Sequence, residues 1–468
     1  MTTSPDTQKR WTLAVLLMAP FMAQADATIA NVSTPSIHAD LGASGADLEL
    51  VIGGYLIAFA ALLITGARLG QTHGYRRIFL FGVTTFTVAS LLCGLAPVPL
   101  VLIGARVLQG AGAALMFPQT LTGIRLGFRG SERARAIALY AVALSVGAAA
   151  GQLLGGALIS ANIAGLQWRS IFFVNVPVGI AVVAAGIRYL PADGARASRG
   201  VDLVGVAMLT ATVLLIVIPL ALGRADGWPT WSWLMLAASV PMLSAFLAAQ
   251  RRVAARGASP LVNLHALAPP AVCWGLGAIA IATGTYYGLL FTTAQYIQQG
   301  LGKSALLSGA TLVAFVLAFG VAGQVVRRLS APMRELAAPA GCLLLATAYG
   351  AISVALLDGL RSETELMMLL GAAGFGLGIQ YNALIAHLTD SVQSQYAPDI
   401  SGVTTTTMQV AGAIAVAAFG TAYLGIAPHA GASQAFAIVT GSFAAMAFAA
   451  ALSAHRATVS FSARRSAA

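Results

Sequence analysis

Apolar residues fill this chain in long unbroken runs, not in the two-residue alternation of a strand or the single stripe of a surface helix. Fourteen such runs start near residues 12, 48, 78, 100, 134, 170, 202, 231, 271, 304, 333, 364, 400 and 433, and most of the polar breaks between them are short. An apolar helix of about 20 residues crosses the roughly 30 Å hydrocarbon core of a bilayer. The pattern therefore predicts an all-α membrane protein with 14 transmembrane helices and no room for an extramembrane domain. The first run follows Lys9 and Arg10 like a signal peptide but contains Asp26 and precedes further runs, so it reads as an uncleaved span.

The runs group as six, two and six. The turn after the second run, Gly-Ala-Arg-Leu-Gly-Gln-Thr-His-Gly-Tyr-Arg-Arg from Gly66, is echoed after the tenth by Gly-Gln-Val-Val-Arg-Arg from Gly323, with Arg334 following. If the echo marks a repeat, residues 1–190 and 257–468 form two six-helix bundles. Residues 191–256 are then an inserted helix pair, flanked by basic loops at Arg188 to Arg199 and Arg251 to Arg256. Transporters are commonly built from such repeats, with substrate bound near the midplane between them.

Composition agrees: 58% of residues are hydrophobic and 9% charged, against about 25% charged in soluble domains. The net charge of +11 would raise the question of nucleic acid in a soluble protein. Here topology explains it and no nucleic-acid partner is expected. With the amino terminus inside, Lys and Arg collect in cytoplasmic segments, the exceptions being Arg169, Arg224, Lys303 and Arg361 outside and Arg106 within a span. This bias places both termini in the cytoplasm. Lys9 and Lys303 are the only lysines, and a chain so rich in arginine and alanine fits a bacterium with a G- and C-rich genome, hence a bacterial cytoplasmic membrane. Cys93, Cys273 and Cys342 lie in or at the ends of apolar runs without metal-type spacing, so neither disulfides nor a metal site is expected, and no other cofactor.

Arg106 sits inside the fourth run, and a buried guanidinium needs an anionic partner and marks an ion or substrate pathway. Asp26 reads as the only acid deep in an apolar run of the amino-terminal half, which makes the two a natural pair. A carboxylate in a partly dry cavity can alternate between protonated and ionised forms while arginine stays charged, an arrangement suited to proton coupling. The other reading is a static ion pair that locks the first and fourth helices. In the first run Gln24, Thr28 and Asn31 share one helical face and Asp26 and Ser33 nearly the opposite one, so one stripe must meet a neighbouring helix. In the ninth run Tyr287, Phe291, Gln295 and Gln298 follow one face, as a binding wall or as an interfacial belt. Gln380, Tyr381, Asn382 and His387 form a second polar cluster, with His387 either a proton carrier or a packing residue. Thr404 to Thr407 with Gln409 line a cavity or bond backbone carbonyls. Gly147, Gly151 and Gly155 give a smooth groove for close helix approach.

Four segments in order resemble the 14-span drug:proton antiporters of the major facilitator superfamily, over nearly the whole chain. Ala25-Asp26-Ala27-Thr28-Ile29-Ala30-Asn31-Val32 resembles that family's Leu-Asp-x-Thr-Ile-Val-Asn-Val motif, and Tyr55-Leu56-Ile57-Ala58 its Tyr-Leu-Leu-Ala segment. Arg106-Val107-Leu108-Gln109-Gly110 is similar to the superfamily's Arg-x-x-Gln-Gly, and Trp168-Arg169-Ser170-Ile171-Phe172-Phe173-Val174-Asn175-Val176-Pro177-Val178-Gly179 to the entry of the sixth span. The resemblance implies the major facilitator fold and proton-coupled efflux by alternating access. It further implies Asp26 and Arg106 as the coupling pair, Asn31, Tyr55 and Gln109 as substrate contacts beside Tyr287, Phe291, Gln295, Gln298, Tyr381 and Asn382, and a gate at Arg68, Gly74, Arg76 and Arg77. Gly147, Gly151, Gln152, Gly155 and Gly156 match the antiporter signature Gly-x3-Gly-Pro-x2-Gly-Gly except that Gln152 replaces the proline. At the gate, Gln71 and Thr72 stand where the family has an Asp-Arg pair, and Tyr75 where it has an arginine.

The expected partners are a lipophilic small molecule, protons and membrane lipids, with the chain a monomer. Export of a lipid or lipid-like metabolite on the same fold, without strict proton antiport, is the second reading. No Gly-x4-Gly-Lys-Ser/Thr loop is present, which argues against ATP-driven transport, and no nucleophile or paired-carboxylate constellation supports an enzyme. With Asp26 the one deep acid, dicationic substrates are expected to be disfavoured.

Overall fold

The computed structural model describes residues 5–193, 202–223, 227–256, 260–262, 264–359, 362–391 and 397–467. Of the positions weighed above, Arg196 and Arg199 in the loop before the inserted pair and the external Arg224 and Arg361 lie outside the described residues. Fourteen long helices run as α1 (Pro5–Leu41), α2 (Gly45–His73), α3 (Tyr75–Gly94), α4 (Pro99–Gly127), α5 (Gly130–Ala161), α6 (Asn175–Tyr189) and α7 (Leu203–Leu222). They continue as α8 (Thr230–Ala255), α9 (Pro270–Gln295), α10 (Ala305–Arg328), α11 (Ala331–Leu357), α12 (Glu363–Asp390), α13 (Ala397–Ala430) and α14 (Ala432–Ala467). Among the described residues there is no strand. Thirteen spans are long and apolar enough to cross a membrane, that of α6 counted from Gln167, and α7 contributes the shorter apolar stretch Val204–Leu220. Each of the 14 runs legible in the sequence thus corresponds to a helix among the described residues that starts within about seven residues of the run.

Local chemistry fixes the ends. Ser44 and Asp47 form a capping box at the start of α2: the Asp47 amide donates to Ser44 Oγ at 3.1 Å and the Ser44 amide to Asp47 Oδ2 at 2.8 Å. Ser304 and Ser362 accept from Leu307 and Glu365 amides to open α10 and α12, and prolines 99 and 270 occupy first-turn positions of α4 and α9, where a missing N–H costs nothing.

The chain divides into two compact units, Met1–Ile216 with Thr230–Leu261, and Val217–Pro229 with Val262–Ala468. In the first, α1 packs on α5, α2 and α3 pack on α4, and α3 packs on α6. In the second, α9 packs on α13, α10 and α11 pack on α12, and α11 packs on α14. Adding eight to each helix number in the first set reproduces the second. Among the described residues neither α7 nor α8 shares a comparably close seam with another helix.

Side chains that leave a helix seam for the periphery are large and apolar, among them Phe81, Leu100, Ile180, Leu234 and Met368, all exposed on the protein surface. That distribution is the inverse of a soluble fold and fits a hydrocarbon surround.

Candidate functional site: the buried ion pair and its network

Two helices of the first unit, α4 and α6, converge on Asp26 of α1. Asp26 is 1% exposed and Arg106 fully buried, and the Arg106 guanidinium donates through Nη1 to Asp26 Oδ2. The other carboxylate oxygen, Oδ1, accepts from Gln109 Nε2 at 2.7 Å and from Asn175 Nδ2 at 3.1 Å. The Arg-x-x-Gln spacing explains the convergence: three residues apart on α4, Arg106 and Gln109 share a face, and Arg106 Nη1 also donates to Gln109 Oε1 at 2.7 Å.

The guanidinium is also held by α2 and by Phe172. Arg106 Nε donates to the Val51 carbonyl of α2 at 3.0 Å. The Tyr55 ring, one turn further along α2, lies 4.4 Å from the guanidinium carbon, and Phe172 at 5.7 Å. Tyr55 is oriented in turn by its hydroxyl, which donates to the Ala23 carbonyl of α1 at 3.0 Å. Desolvation makes such cation–π contacts worth about 2 kcal/mol or more. Gln109 Nε2 also donates to Ser90 Oγ at 2.8 Å, and the Cys93 thiol donates to Gln109 Oε1 at 3.6 Å, which ties α3 into the network. Among the described residues Arg106 Nη2 has no hydrogen-bond partner.

The sequence anticipated Asp26, Arg106, Gln109 and Tyr55, and the structure brings these four together. It adds Ser90, Cys93 and Asn175. Asn175 stood inside the Trp168–Gly179 motif, but nothing in its spacing tells that its amide returns to Asp26. The polar stripes of α1 are also separated: Asp26 faces α4 and α6, whereas Thr28 Oγ1 donates to the Ala148 carbonyl of α5 at 3.0 Å. Asn31 donates to Ala27 and Thr28 carbonyls of its own helix, and its Oδ1 is buried without a partner among the described residues.

One expectation is corrected. Asp26 is not the only deep acid of the amino-terminal half: Glu49, in the first turns of α2, is 2% exposed. Sitting five residues into a helix that begins at Gly45, it reads from sequence as a helix-end residue. The packing around α2 encloses it all the same.

The glycine stripe of α5 receives α1. A side chain at Gly151 would fall 2.3 Å from the Ala25 carbonyl oxygen, at Gly147 2.6 Å from that of Phe21, and at Gly155 2.7 Å from Ile29 Cγ1. Gly156 is buried beside them. Gln152 is buried and its Nε2 donates to the Thr28 carbonyl at 3.4 Å. The Trp-Arg opening of the α6 motif works at the far end of α1: Trp168 Nε1 donates to Asp40 Oδ2 at 2.9 Å and Arg169 pairs with the same carboxylate.

The α2–α3 turn is gripped by backbone acceptors and one carboxylate. The Arg76 amide donates to Asp193 Oδ1 at 2.9 Å and the Arg77 amide to Asp193 Oδ2 at 3.3 Å. The Arg76 guanidinium donates to the Ile187 carbonyl of α6, and that of Arg68 to the Pro260 carbonyl. Gly74, at φ +100°, takes a conformation that favours glycine, and a Cβ there would lie 2.2 Å from the Asp193 carboxyl.

In the second unit Tyr287 Oη donates to Gln409 Oε1 at 2.8 Å, joining α9 to α13. Phe291 and Gln295 are fully buried, and both amide atoms of Gln295 lack partners among the described residues. Residues Tyr296–Gly300 form a π-helical turn, so the 3.6-residue spacing that defines the stripe applies only as far as Gln295 and Gln298 stands beyond it. In α12 three consecutive polar residues part company. Asn382 lies against Gly323 of α10, the Tyr381 ring is 5.8 Å from Phe319, and the Gln380 backbone abuts Gly341 of α11.

Two like-wired sets of six apolar helices, with an ion pair fully buried in one, define a multi-pass membrane transporter. The chain belongs to the Major Facilitator Superfamily, whose model matches residues 16–416, and to its drug-efflux family. It is 34% identical to the probable actinorhodin transporter of Streptomyces coelicolor over 427 residues, 90% of this chain and 74% of that protein. It is 33% identical to the puromycin resistance protein of Streptomyces alboniger over 432 residues, 90% of this chain and 83% of that one. Among solved structures, a bacterial homologue of the human lysosomal transporter Spinster, inward-facing and occupied, superposes with a TM-score of 0.67 at 17% identity, covering 99% of this chain and 98% of that one; at that identity the likeness concerns the fold.

Proposed function

We propose that this protein exports lipophilic small molecules, of the drug or natural-product type, across a bacterial cytoplasmic membrane in exchange for protons, with both termini cytoplasmic. The observation that carries the reading is the Asp26 carboxylate held by Arg106, Gln109 and Asn175 with no exposure to the surface. A group so enclosed exchanges a proton only when its helices part, and that is what coupling to alternating access requires. The relatives named for actinorhodin transport and puromycin resistance support the cargo class. The like wiring within each unit supports transport by alternating access of two six-helix bundles, 1–190 and 257–468.

Within this reading Asp26 and Arg106 couple the proton, and Gln109 and Tyr55, assigned from sequence to substrate, hold that pair instead. Asn31 and, from the second bundle, Tyr287, Phe291, Gln295, Gln298, Tyr381 and Asn382 remain the substrate contacts. Arg68, Gly74, Arg76 and Arg77 gate the cytoplasmic side, and the α1–α5 seam of Gly147, Gly151, Gln152, Gly155 and Gly156 lets α1 shift as Asp26 titrates. Purified protein in proteoliposomes with an imposed pH gradient tests the proposal against a panel of neutral, cationic and lipid-like molecules. Uphill accumulation that collapses with a protonophore is expected. Accumulation indifferent to the gradient would reject proton coupling, and lipid movement alone would favour the lipid-exporter reading.

A further inference from the structure

Among the described residues the inserted pair α7–α8 shares no close seam with the repeated helices, yet its two cytoplasmic connectors meet the α2–α3 turn at separate points. On the entry side, Asp193 follows α6 and accepts from both the Arg76 and the Arg77 amides, the first free N–H groups of α3. On the exit side, the Pro260 carbonyl accepts from the Arg68 guanidinium in the last turns of α2. Its neighbour Leu261 donates its amide to Asp202 Oδ2 at 3.3 Å. Asp202 anchors that exit segment to the pair itself: its Oδ1 accepts from the Gly205 amide at 2.8 Å at the start of α7, and its Oδ2 accepts from Gln250 Nε2 at 2.8 Å near the end of α8. Gln250 is fully buried, so this junction is a built one and not a chance surface contact.

The turn lacks an acid of its own between Gly66 and Arg77. Asp193 supplies one from outside, and Gly74 leaves room for it, since any Cβ at that position would occupy the space of the carboxyl group. A turn held at Arg68 on one flank and at residues 76 and 77 on the other is held on both helices that it joins.

We propose that the inserted helix pair acts as a clamp on the α2–α3 turn, with Asp193 and the Asp202–Gln250–Leu261 junction as positioning residues that set the turn's geometry during the transport cycle. This rests on the reading of that turn as a gate. The insertion is thereby mechanically joined to the gate, because whatever displaces α7 and α8 is felt at Arg68 through Pro260, and the turn's own motion is felt by the pair.

The experiment uses the full-length protein, in nanodiscs for the structural readouts and in proteoliposomes for uptake of a lipophilic fluorescent dye. Amide hydrogen exchange of residues 66–78 and maleimide labelling of a cysteine at Gln71, in a background with the three native cysteines replaced, read the turn directly, while kcat and KM read transport. Asp193→Ala is expected to raise exchange at Arg76 and Arg77 at least 10-fold, with Asp193→Glu restoring most of the protection. The decisive variant is Gln250→Leu, at the Asp202 end of the junction. It is expected to speed Gln71 labelling at least threefold and to lower kcat by a similar factor with KM unchanged. Should Gln250→Leu fail to fold, Asp202→Asn keeps the shape of the junction and carries the same expectation. Unchanged labelling and exchange in the junction variant would overturn the clamp. Altered labelling with unchanged kcat would leave the clamp standing and overturn the gate reading of the turn.

Discussion

Gln109 Nε2 stands 2.7 Å from Asp26 Oδ1, on the oxygen opposite the one that Arg106 holds. With Asn175 on the same Oδ1, three donors take three of the carboxylate's roughly four lone-pair positions, two on Oδ1 and one on Oδ2. Oδ2 is held by Arg106 alone, so a shift of α4 against α1 that withdraws the guanidinium frees that oxygen for a proton.

Asp26→Asn should abolish uphill transport. An amide offers one acceptor and one donor group where the site presents three donors, so a donor must face a donor, and Arg106 loses its counter-ion. Breaking a buried pair from one side costs about 3–5 kcal/mol. A lower unfolding midpoint in detergent should accompany the loss, and normal gradient-driven accumulation by Asp26→Asn vesicles would remove Asp26 from the mechanism.

Gln109→Ala and Asn175→Ala share one acceptor atom and should not add. Each alone leaves Asp26 Oδ1 one donor, whereas the double variant leaves none, so the coupling energy of a double-mutant cycle should fall within about 0.5–3 kcal/mol. Strict additivity, measured on unfolding or on transport rate, would mean that the two amides act independently of the carboxylate.

Much of the fold was legible because a bilayer imposes length and polarity on every span, and the charge asymmetry orders the loops. The core of the site was legible for the same reason: Asp26 and Arg106 are conspicuous in apolar runs. Asn175 and Ser90 were not, because amides and hydroxyls are tolerated throughout such helices and only the packing of α3 and α6 on their neighbours aims these two at Gln109 and Asp26. Glu49 escaped because distance from a helix end is a poor measure of burial where other segments cover that end. The π turn after Gln295 has no sequence signature, and a stripe read at 3.6 residues per turn cannot anticipate it.

Topology is open to direct measurement. Single cysteines at Asn162 and Ser362, in the turns after α5 and α11, should react with an impermeant maleimide in intact cells, and those at Gln71 and Ala255 only after permeabilisation. The exposed Cys273 must first be replaced, while Cys93 and Cys342 are buried. The opposite pattern would invert the orientation drawn from the basic loops.

Substrate charge provides the final test. The Asp26 charge is already matched by Arg106 and its oxygens already accept from three donors, so a cation arriving beside it gains little and gives up hydration that a neutral molecule never had. Neutral lipophilic compounds should therefore compete at least as well as their matched N-methylated monocations, with ring-bearing ones helped by Phe291 and Tyr287. Dications give up still more hydration and should compete less well than either; Glu49 is the second buried acid of this unit. Competition assays on matched neutral, singly and doubly charged dyes decide the matter. A tenfold or greater preference for the cation would overturn the expectation; if Glu49→Gln then erased that preference, Glu49 and not Asp26 would be the carboxylate that reads substrate charge.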